Sequence, residues 1–304
     1  MKSTGTLEKF ARSLLRKQAG SPPDVLWHYT NAAGLLGILK SGKLWATNTE
    51  YLNDASELRY ARHLVWQSIN KMRSITMGDR EDDLLDVLAE QIGRRLNRPV
   101  FVVSLSAEKD ELSQWRAYGS GSGSFALGFS SRVLTNAISN AASPSFNLYK
   151  CIYETNRTSS ICQRFVEKAL VDFRTYRTKN PIGPSDFLEI RNFVSDAIEQ
   201  FETIAPLIKH PDFAEEAEWR LVSGAVDLNT RPIHLREGNT CIVPFIDFVI
   251  SKDKSLPKVT VHTQIGPAIS YYPGDSTHVL IAYSDDFILQ PFPVEPSQTP
   301  YRHR

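Results

Sequence analysis

Apolar positions fall at helical spacing from the start of the chain. Leu7, Phe10, Leu14 and Leu15 lie one turn apart over residues 4–18, and Gly20-Ser-Pro-Pro23 ends the run. The pattern then predicts a strand over 25–29 and a helix over 33–40, with Thr30 or Asn31 as N-cap and Gly42 just beyond its end. Residues 43–47 read as extended. Asp54 and Glu57 stand at capping-box spacing before a helix that continues through Leu58, Ala61, Leu64 and Val65, and a second amphipathic run covers 82–96. From Arg98-Pro99 onward strands dominate. Runs rich in β-branched and aromatic residues cover 101–106 and 124–129, on either side of a helix at 110–118 and a Gly/Ser turn at 119–123. Another strand is expected at 148–154. Helical periodicity returns at 158–177 and 185–206, and the last third alternates strand-like runs at 215–222, 241–249, 259–265 and 279–282 with Pro and Gly. The order predicts an α+β fold, a mixed and mainly antiparallel β core with surrounding helices. Residues 1–22 form a leading helix, 23–290 one domain with helical insertions at about 54–97 and 156–208, and 291–304 a tail.

Composition changes this picture little. The chain of 304 residues is long enough for a sizeable core, and hydrophobic and charged fractions of 41% and 23% are ordinary for a globular protein. Lys and Arg number 35 against 34 Asp and Glu, so a net charge of +1 gives no global pull toward a polyanion. Cys151, Cys162 and Cys241 form neither a CxxC nor a Cys/His cluster, so no disulfide framework and no zinc site is expected. A reducing cytoplasm fits that usage. No apolar run approaches the ~20 residues of a membrane span, and no signal-peptide core is present. No membrane partner is expected.

Candidate chemistry sits in three blocks. In Leu26-Trp-His-Tyr-Thr30, strand alternation puts His28 on a face with Leu26 and Thr30, and Trp27 and Tyr29 on the other. An isolated strand histidine has a structural explanation, and Tyr29 reads mostly as core. In the second block Ser104 and Ser106 share a strand face, while Trp115 and Tyr118, three apart, lie on one side of the following helix. Both rings could simply pack that helix onto the sheet. The third block is His210 to Val222, and a strand over its residues 216–222 places Glu216, Glu218 and Arg220 on one face and Ala217, Trp219 and Leu221 on the other. Carboxylates are unfavourable in strands, so a polar cleft explains them better than propensity. The competing reading is a solvated face with a Glu218–Arg220 ion pair.

Residues 25–48, from Val25-Leu-Trp-His-Tyr-Thr30 through Gly34-Leu-Leu-Gly-Ile-Leu to Trp45-Ala-Thr-Asn48, resemble the opening strand, helix and second strand of the ADP-ribosyltransferase superfamily, especially its H-Y-E branch. The chain also resembles a mostly bacterial family of uncharacterised proteins, of the DUF2971 kind. That family has HYT near the start, an SxS...WxxY block and a late ExEWR, and is usually placed in the same superfamily.

The resemblance implies that NAD is bound as a substrate and no metal is used. His28 would bond the adenosine ribose with help from Thr30, and the adjoining Tyr29 would line the site. Ser104 and Ser106 would contribute from the second strand, with Trp115 ahead of Tyr118 as the ring stacked on nicotinamide. Glu218 would stabilise the oxocarbenium ion as nicotinamide leaves, and Glu216 would orient the acceptor. Asn53 lies in a polar loop from which it could reach the cofactor, although a helix cap explains it as well.

The implied activity is transfer of ADP-ribose to a protein or nucleic-acid acceptor, as in a bacterial toxin or phage-defence effector. The alternatives are hydrolysis of NAD, or a module that binds a nucleotide or a protein without turnover. A nuclease would require clustered metal carboxylates, and none is evident in the sequence. Large helical insertions and a Trp where the resembled branch has Tyr leave substrate choice open. His28, Trp115 and Glu218 are expected to converge on one cleft.

Overall fold

The computed structural model describes residues 5–52, 55–74, 79–94, 98–118, 124–141, 144–180, 187–229, 233–238, 241–250, 261–265 and 294–296. In chain order these form α1 (Thr6–Gln18), β1 (Val25–Asn31), α2 (Ala32–Ser41), β2 (Lys43–Asn48), α3 (Ala55–Arg73), α4 (Asp79–Gln91), β3 (Phe101–Ser106), α5 (Leu112–Tyr118) and β4 (Ser124–Ser130). They continue with α6 (Ser131–Asn140), β5 (Phe146–Lys150), α7 (Thr155–Lys179), α8 (Phe187–Ile204), β6 (Glu218–Ser223), β7 (His234–Glu237), β8 (Ile242–Val249), β9 (Val261–Ile265) and β10 (Val294–Pro296). Local chemistry accounts for many of the boundaries. The Asn31 side chain accepts from Gly34 N–H at 2.9 Å to start α2, and Gly42, at φ 65°, ends it in the left-handed conformation a glycine tolerates.

The strands form one sheet in the order β10-β9-β4-β1-β3-β2-β8-β7, with β6 laid on β3 and β5 on β6. Every ladder is antiparallel except β9 with β10, as the α+β expectation requires. β3 is the branch point. One edge pairs with β6 from Val102 opposite Val222 to Ser106 opposite Glu218; the other is divided between β2, at Phe101 and Val102, and β1, at Ser106.

Residues opposed in an antiparallel ladder project to the same side, so this register fixes two faces. Leu26, Phe101, Val103, Leu105, Trp219 and Leu221 lie on one face and share a core with Leu35, Ile38 and Leu39 of α2 and Leu134 of α6. Val102, Ser104, Ser106, Glu218, Arg220 and Val222 lie on the other face. A helical layer covers them.

That layer is built by segments far apart in sequence. α3 packs on α7, α4 on α8, and α1 on both α7 and α8, around Val65, Ile69, Phe165, Phe173, Phe201 and their neighbours. The two helical insertions therefore bury their apolar stripes against each other rather than separately against the sheet. The leading helix belongs to the same layer, because Leu7, Phe10, Ala11 and Leu14 enter its core. Arg62 of α3 pairs with Glu202 of α8 at 3.1 Å and with Glu50 beside β2, tying the layer to the sheet edge. Among the described residues no helix is long and apolar enough to cross a membrane.

Some elements differ from the sequence expectation. α6 and β7 were not among the expected elements. Glu215 and Glu216 belong to a 3-10 turn, Pro211–Glu216, not to the strand; Ala217, at φ 43°, breaks the backbone before β6 begins. The strand expected at 279–282, the Gly/Ser turn at 119–123, Asn53 and Asp54 lie outside the described residues.

The start of α1 shows how the layers are held in register. Gly5 at the N-cap offers no side chain, and the carboxylate of Asp172 on α7 takes its place. It accepts from Thr6 N–H at 2.7 Å, Thr6 Oγ1 at 2.9 Å and Leu7 N–H at 2.9 Å. A Cβ on residue 5 would lie 2.1 Å from the Asp172 carboxylate, so the close approach requires glycine. Replacing Asp172 with Ala should therefore cost about 1–2 kcal/mol, the range of a lost N-cap. It should lower the midpoint of urea unfolding without changing its slope; an unchanged midpoint would show that Asp172 does not hold α1.

Candidate functional site

The charged side chains of β6 face the helical layer, where water is scarce. Glu218 and Arg220, two residues apart, project to the same side, and both are almost wholly buried. Arg220 grips the Glu218 carboxylate with two donors, Nε to Oε1 at 2.7 Å and Nη2 to Oε2 at 2.9 Å, the fork geometry that suits a carboxylate. Its Nη1 donates to the Pro206 carbonyl at 2.7 Å, and Nη2 also reaches Glu57 of α3. Lys209, only 1% exposed, approaches from the segment after α8. Its ammonium donates to Glu218 Oε2 at 2.6 Å, pairs with Glu57 Oε1 at 2.9 Å and also pairs with Glu216. Three carboxylates thus meet two cations. If all are ionised the cluster carries a surplus of one negative charge.

Neutral groups complete the shell. Tyr153 Oη accepts from Glu218 N–H at 2.8 Å, and the buried Cys151 thiol lies 3.9 Å from Glu218 Oε2. Burial pushes that thiol well above its ordinary value, and the Glu218 charge pushes it further, so it stays protonated. Burial also raises Tyr118 and Tyr153; the Glu218 and Glu216 charges add to the effect at Tyr118, and Glu218 adds to it at Tyr153. Burial alone would raise Glu218, but Arg220 and Lys209 outweigh it and hold the carboxyl well below the usual range. Glu216 goes the other way. Its burial and the neighbouring Glu218 charge exceed the help from Lys209, and its carboxyl is raised.

Access to the cluster is uneven. Glu216 keeps 20% of its side chain exposed and Tyr118 is half-buried, whereas Glu218 and Lys209 are sealed. The oxygens of Glu57, Glu216 and Glu218 lie within 4.8 Å of one another, so clustered carboxylates do exist here, contrary to the sequence reading. The Lys209 ammonium contacts all three.

The expected residues separate into three groups. Glu216, Glu218 and Tyr118 come together with Ser106, which lies opposite Glu218 in the ladder. The Ser106 hydroxyl is already used, donating to the Glu216 carbonyl at 2.7 Å and accepting from Glu108 N–H at 2.9 Å. Ser104 shares their face, opposite Arg220.

Trp115 is elsewhere. It is fully buried, its Nε1 donates to Asp110 at 2.6 Å, and it packs edge-on against Tyr29 with centroids 4.7 Å apart. Tyr29 in turn donates to the Glu108 carbonyl at 2.8 Å and accepts from Glu111 N–H at 3.0 Å. Trp115 therefore has no open ring face for a nicotinamide, and the ring beside the carboxylates is that of Tyr118.

His28 is the third case. Trp27, not His28, pairs with Ser106, so ladder parity places His28 and Thr30 on the face opposite Glu218. His28 Nδ1 donates to the Ser104 carbonyl at 3.0 Å, where β3 has a ladder partner in neither β1 nor β2. Burial pushes its pKa down, only partly offset by that bond, so the ring is neutral and Nε2 remains an acceptor. The expected convergence of His28, Trp115 and Glu218 on one cleft is not what the sheet builds. Asn53 lies outside the described residues.

Residues 114–221 match the model of a family described as protein of unknown function, DUF2971. The DUF2971-like stretch runs from Gln114 on α5 to Leu221 on β6 and contains Tyr118, Lys209, Glu216, Glu218 and Arg220. His28, Ser104 and Glu57 precede it, and the description names no activity. No curated protein and no solved structure matches the chain.

Lys209, Glu57 and Tyr153 were not among the site residues expected from the sequence. Lys209 carried a readable signal, a lone cation following the apolar run Ala205-Pro-Leu-Ile208. Glu57 carried none, since its spacing suits a helix cap.

The two shifted carboxyls make opposite predictions. Glu218 is held low, so its stabilisation is present above the unfolded value of about 4.3 and is lost as pH falls through the folded value. Glu216 is raised, so its contribution is present below about 4.3 and is lost as pH rises through its folded value. Near neutral pH, Glu218→Gln should cost about 3–5 kcal/mol, the range for breaking a buried pair. Glu216→Gln should be neutral or mildly stabilising. Urea unfolding of both variants compares them directly; equal losses would contradict the assigned electrostatics.

Proposed function

We propose that this protein cleaves the nicotinamide–ribose bond of NAD and transfers ADP-ribose, with the carboxylate cluster on β6 as its electrostatic centre. The supporting observation is the charge imbalance of three carboxylates against Lys209 and Arg220, in a poorly hydrated site whose most accessible described members are Glu216 and Tyr118. Such a site favours a cation. The nicotinamide ring of NAD is positively charged, and the ribosyl group becomes oxocarbenium-like as that ring departs, so both ground and transition states suit the surplus negative charge. A half-buried tyrosine beside them can receive the cationic ring on its face.

Access exchanges the roles expected of the two glutamates. Glu218 is engaged through both oxygens and sealed, so it acts as a positioning residue that fixes Lys209 and Arg220. Glu216 reaches the surface and is the carboxylate that meets the ribose. Its raised pKa reflects a carboxylate whose charge is incompletely compensated, which a bound cation would relieve. A second reading, a module without turnover, draws on the Lys209 ammonium, which already neutralises the space between the carboxylates.

Purified protein incubated with NAD should release nicotinamide. In a lysate, NAD labelled in the adenylate should leave label in a protein or nucleic-acid fraction. Glu216→Gln should reduce release by roughly 100- to 1000-fold, the loss typical of removing one preorganised electrostatic group, while NAD binding persists. Hydrolysis without labelling would assign water as the acceptor. Intact NAD with the wild-type protein would overturn the proposal.

A further inference from the structure

Beyond β3 the face that carries Glu218 continues across β2, β8 and β7. Thr47 of β2 lies opposite both Val102 of β3 and Phe245 of β8, and Phe245 lies opposite His234 of β7. Trp45, two residues from Thr47, projects the same way. This part of the face is open at its two outer rings, since Trp45 is 47% exposed and the His234 side chain 52%, while Phe245 between them is buried. The three rings form a strip. Trp45 lies over Phe245 with centroids 4.7 Å apart at 34°, and His234 lies on its other side at 5.3 Å and 35°.

The polar groups along the strip are unequal. Asp247 is bound by Lys43 at 2.7 Å and approached by His234 at 3.8 Å, so its charge is answered within the face. Arg236 is not. Among the described residues it meets neutral acceptors, Thr47 Oγ1 at 3.4 Å and the Glu237 carbonyl at 3.5 Å, and its buried Nε has no acceptor there. Partial burial lowers its pKa, yet a guanidinium remains charged. Arg236 also lines a concavity of about 420 Å³ with Leu235, Glu237, Gly238, Cys241 and Ile242. A half-buried cation with no carboxylate partner among the described residues, on the same face as an exposed indole and imidazole, is the complement of an anion that carries flat rings.

We propose that the exposed rings of Trp45 and His234, backed by the buried Phe245, form a stacking platform for single-stranded nucleic acid, with Arg236 taking a backbone phosphate. Bases of a single strand present their faces to aromatic side chains, and a guanidinium pairs with phosphate oxygens through parallel donors. In a duplex those faces are stacked on one another, so the strip selects unpaired strands. Recognition is by ring and charge, without a base code. This site is separate from the carboxylate cluster and does not depend on NAD cleavage.

The test is fluorescence anisotropy of a labelled oligothymidylate, about a dozen nucleotides long as suits a single-strand site, with full-length protein at low salt and without NAD. The single strand should bind, and unlabelled duplex should compete poorly. Trp45→Ala should weaken binding roughly 5- to 150-fold, the effect of losing one stacked base, and Trp45→Phe should recover most of it. Arg236→Gln should flatten the dependence of log K on log salt by about 0.7, one phosphate contact on a single strand. Since Arg236 makes no ion pair among the described residues, that variant tests the site even if Trp45→Ala disturbs packing on Phe245. No binding of the single strand, or binding unchanged in both Trp45→Ala and Arg236→Gln, would overturn the proposal. Because NAD is omitted, that failure is distinguishable from a failure of the glycosyl-transfer reading.

Discussion

Burying ions without water is costly unless every charge finds a partner, and β6 buries two of them side by side. Glu218 and Arg220 pair with each other, and Glu57 on α3 and Lys209 on the segment after α8 engage their remaining donor and acceptor sites. Each element that supplies a partner must therefore dock at one place. The apolar stripes of the helices specify that a layer forms, but greasy contact tolerates sliding. The bidentate Arg220–Glu218 pair and the Lys209 contacts do not, because donors and acceptors have fixed directions. The cluster thus selects one docking of helices on sheet. Asp172 at the start of α1 and Arg62 between Glu50 and Glu202 repeat the device at the edges of the layer.

The divided edge of β3 is the second constraint. β1 and β2 both approach that edge, and the carbonyl of Ser104 lies between their ladders. His28 fills the gap with a side-chain hydrogen bond, a role that explains a strand histidine without a ligand. The same branching keeps β6 against β3 along its full length and so places Glu218 opposite Ser106. Beyond it the sheet runs on to β8 and β7, where the outer rings of the aromatic strip, Trp45 and His234, are exposed. One face thus carries two chemically different regions, a sealed ionic centre and an open platform.

Much of the element structure was legible in the chain. The 3.6-residue periods of α1, α3, α7 and α8, the N-cap and C-terminal glycine of α2, and the apolar β3 run need only local geometry and burial to be recognised. Local backbone effects account for some departures. Glu216 looked like a strand residue because alternation extends to it, but the left-handed Ala217 breaks the strand first. α6 was readable from Ser130 as N-cap, whose hydroxyl accepts from Val133 N–H, with Leu134 and Ala137 on its buried face.

The site was legible only in part. Glu216, Glu218 and Tyr118 carry signals within a few residues of themselves, as carboxylates at a strand and a ring on a short helix. Their partners do not, because Glu57 meets Arg220 across 163 positions of chain. By itself, then, the sequence determined the α+β class, most elements and the residue types able to do chemistry, since propensity, periodicity and capping act over one or two turns. Tertiary structure decided which of those residues meet. Ladder register sent His28 to the far face, packing on Tyr29 closed Trp115, and Lys209 and Arg220 sealed Glu218 while Glu216 stayed open. Each outcome depends on pairing between distant segments, and a single residue of register reverses the face a side chain occupies.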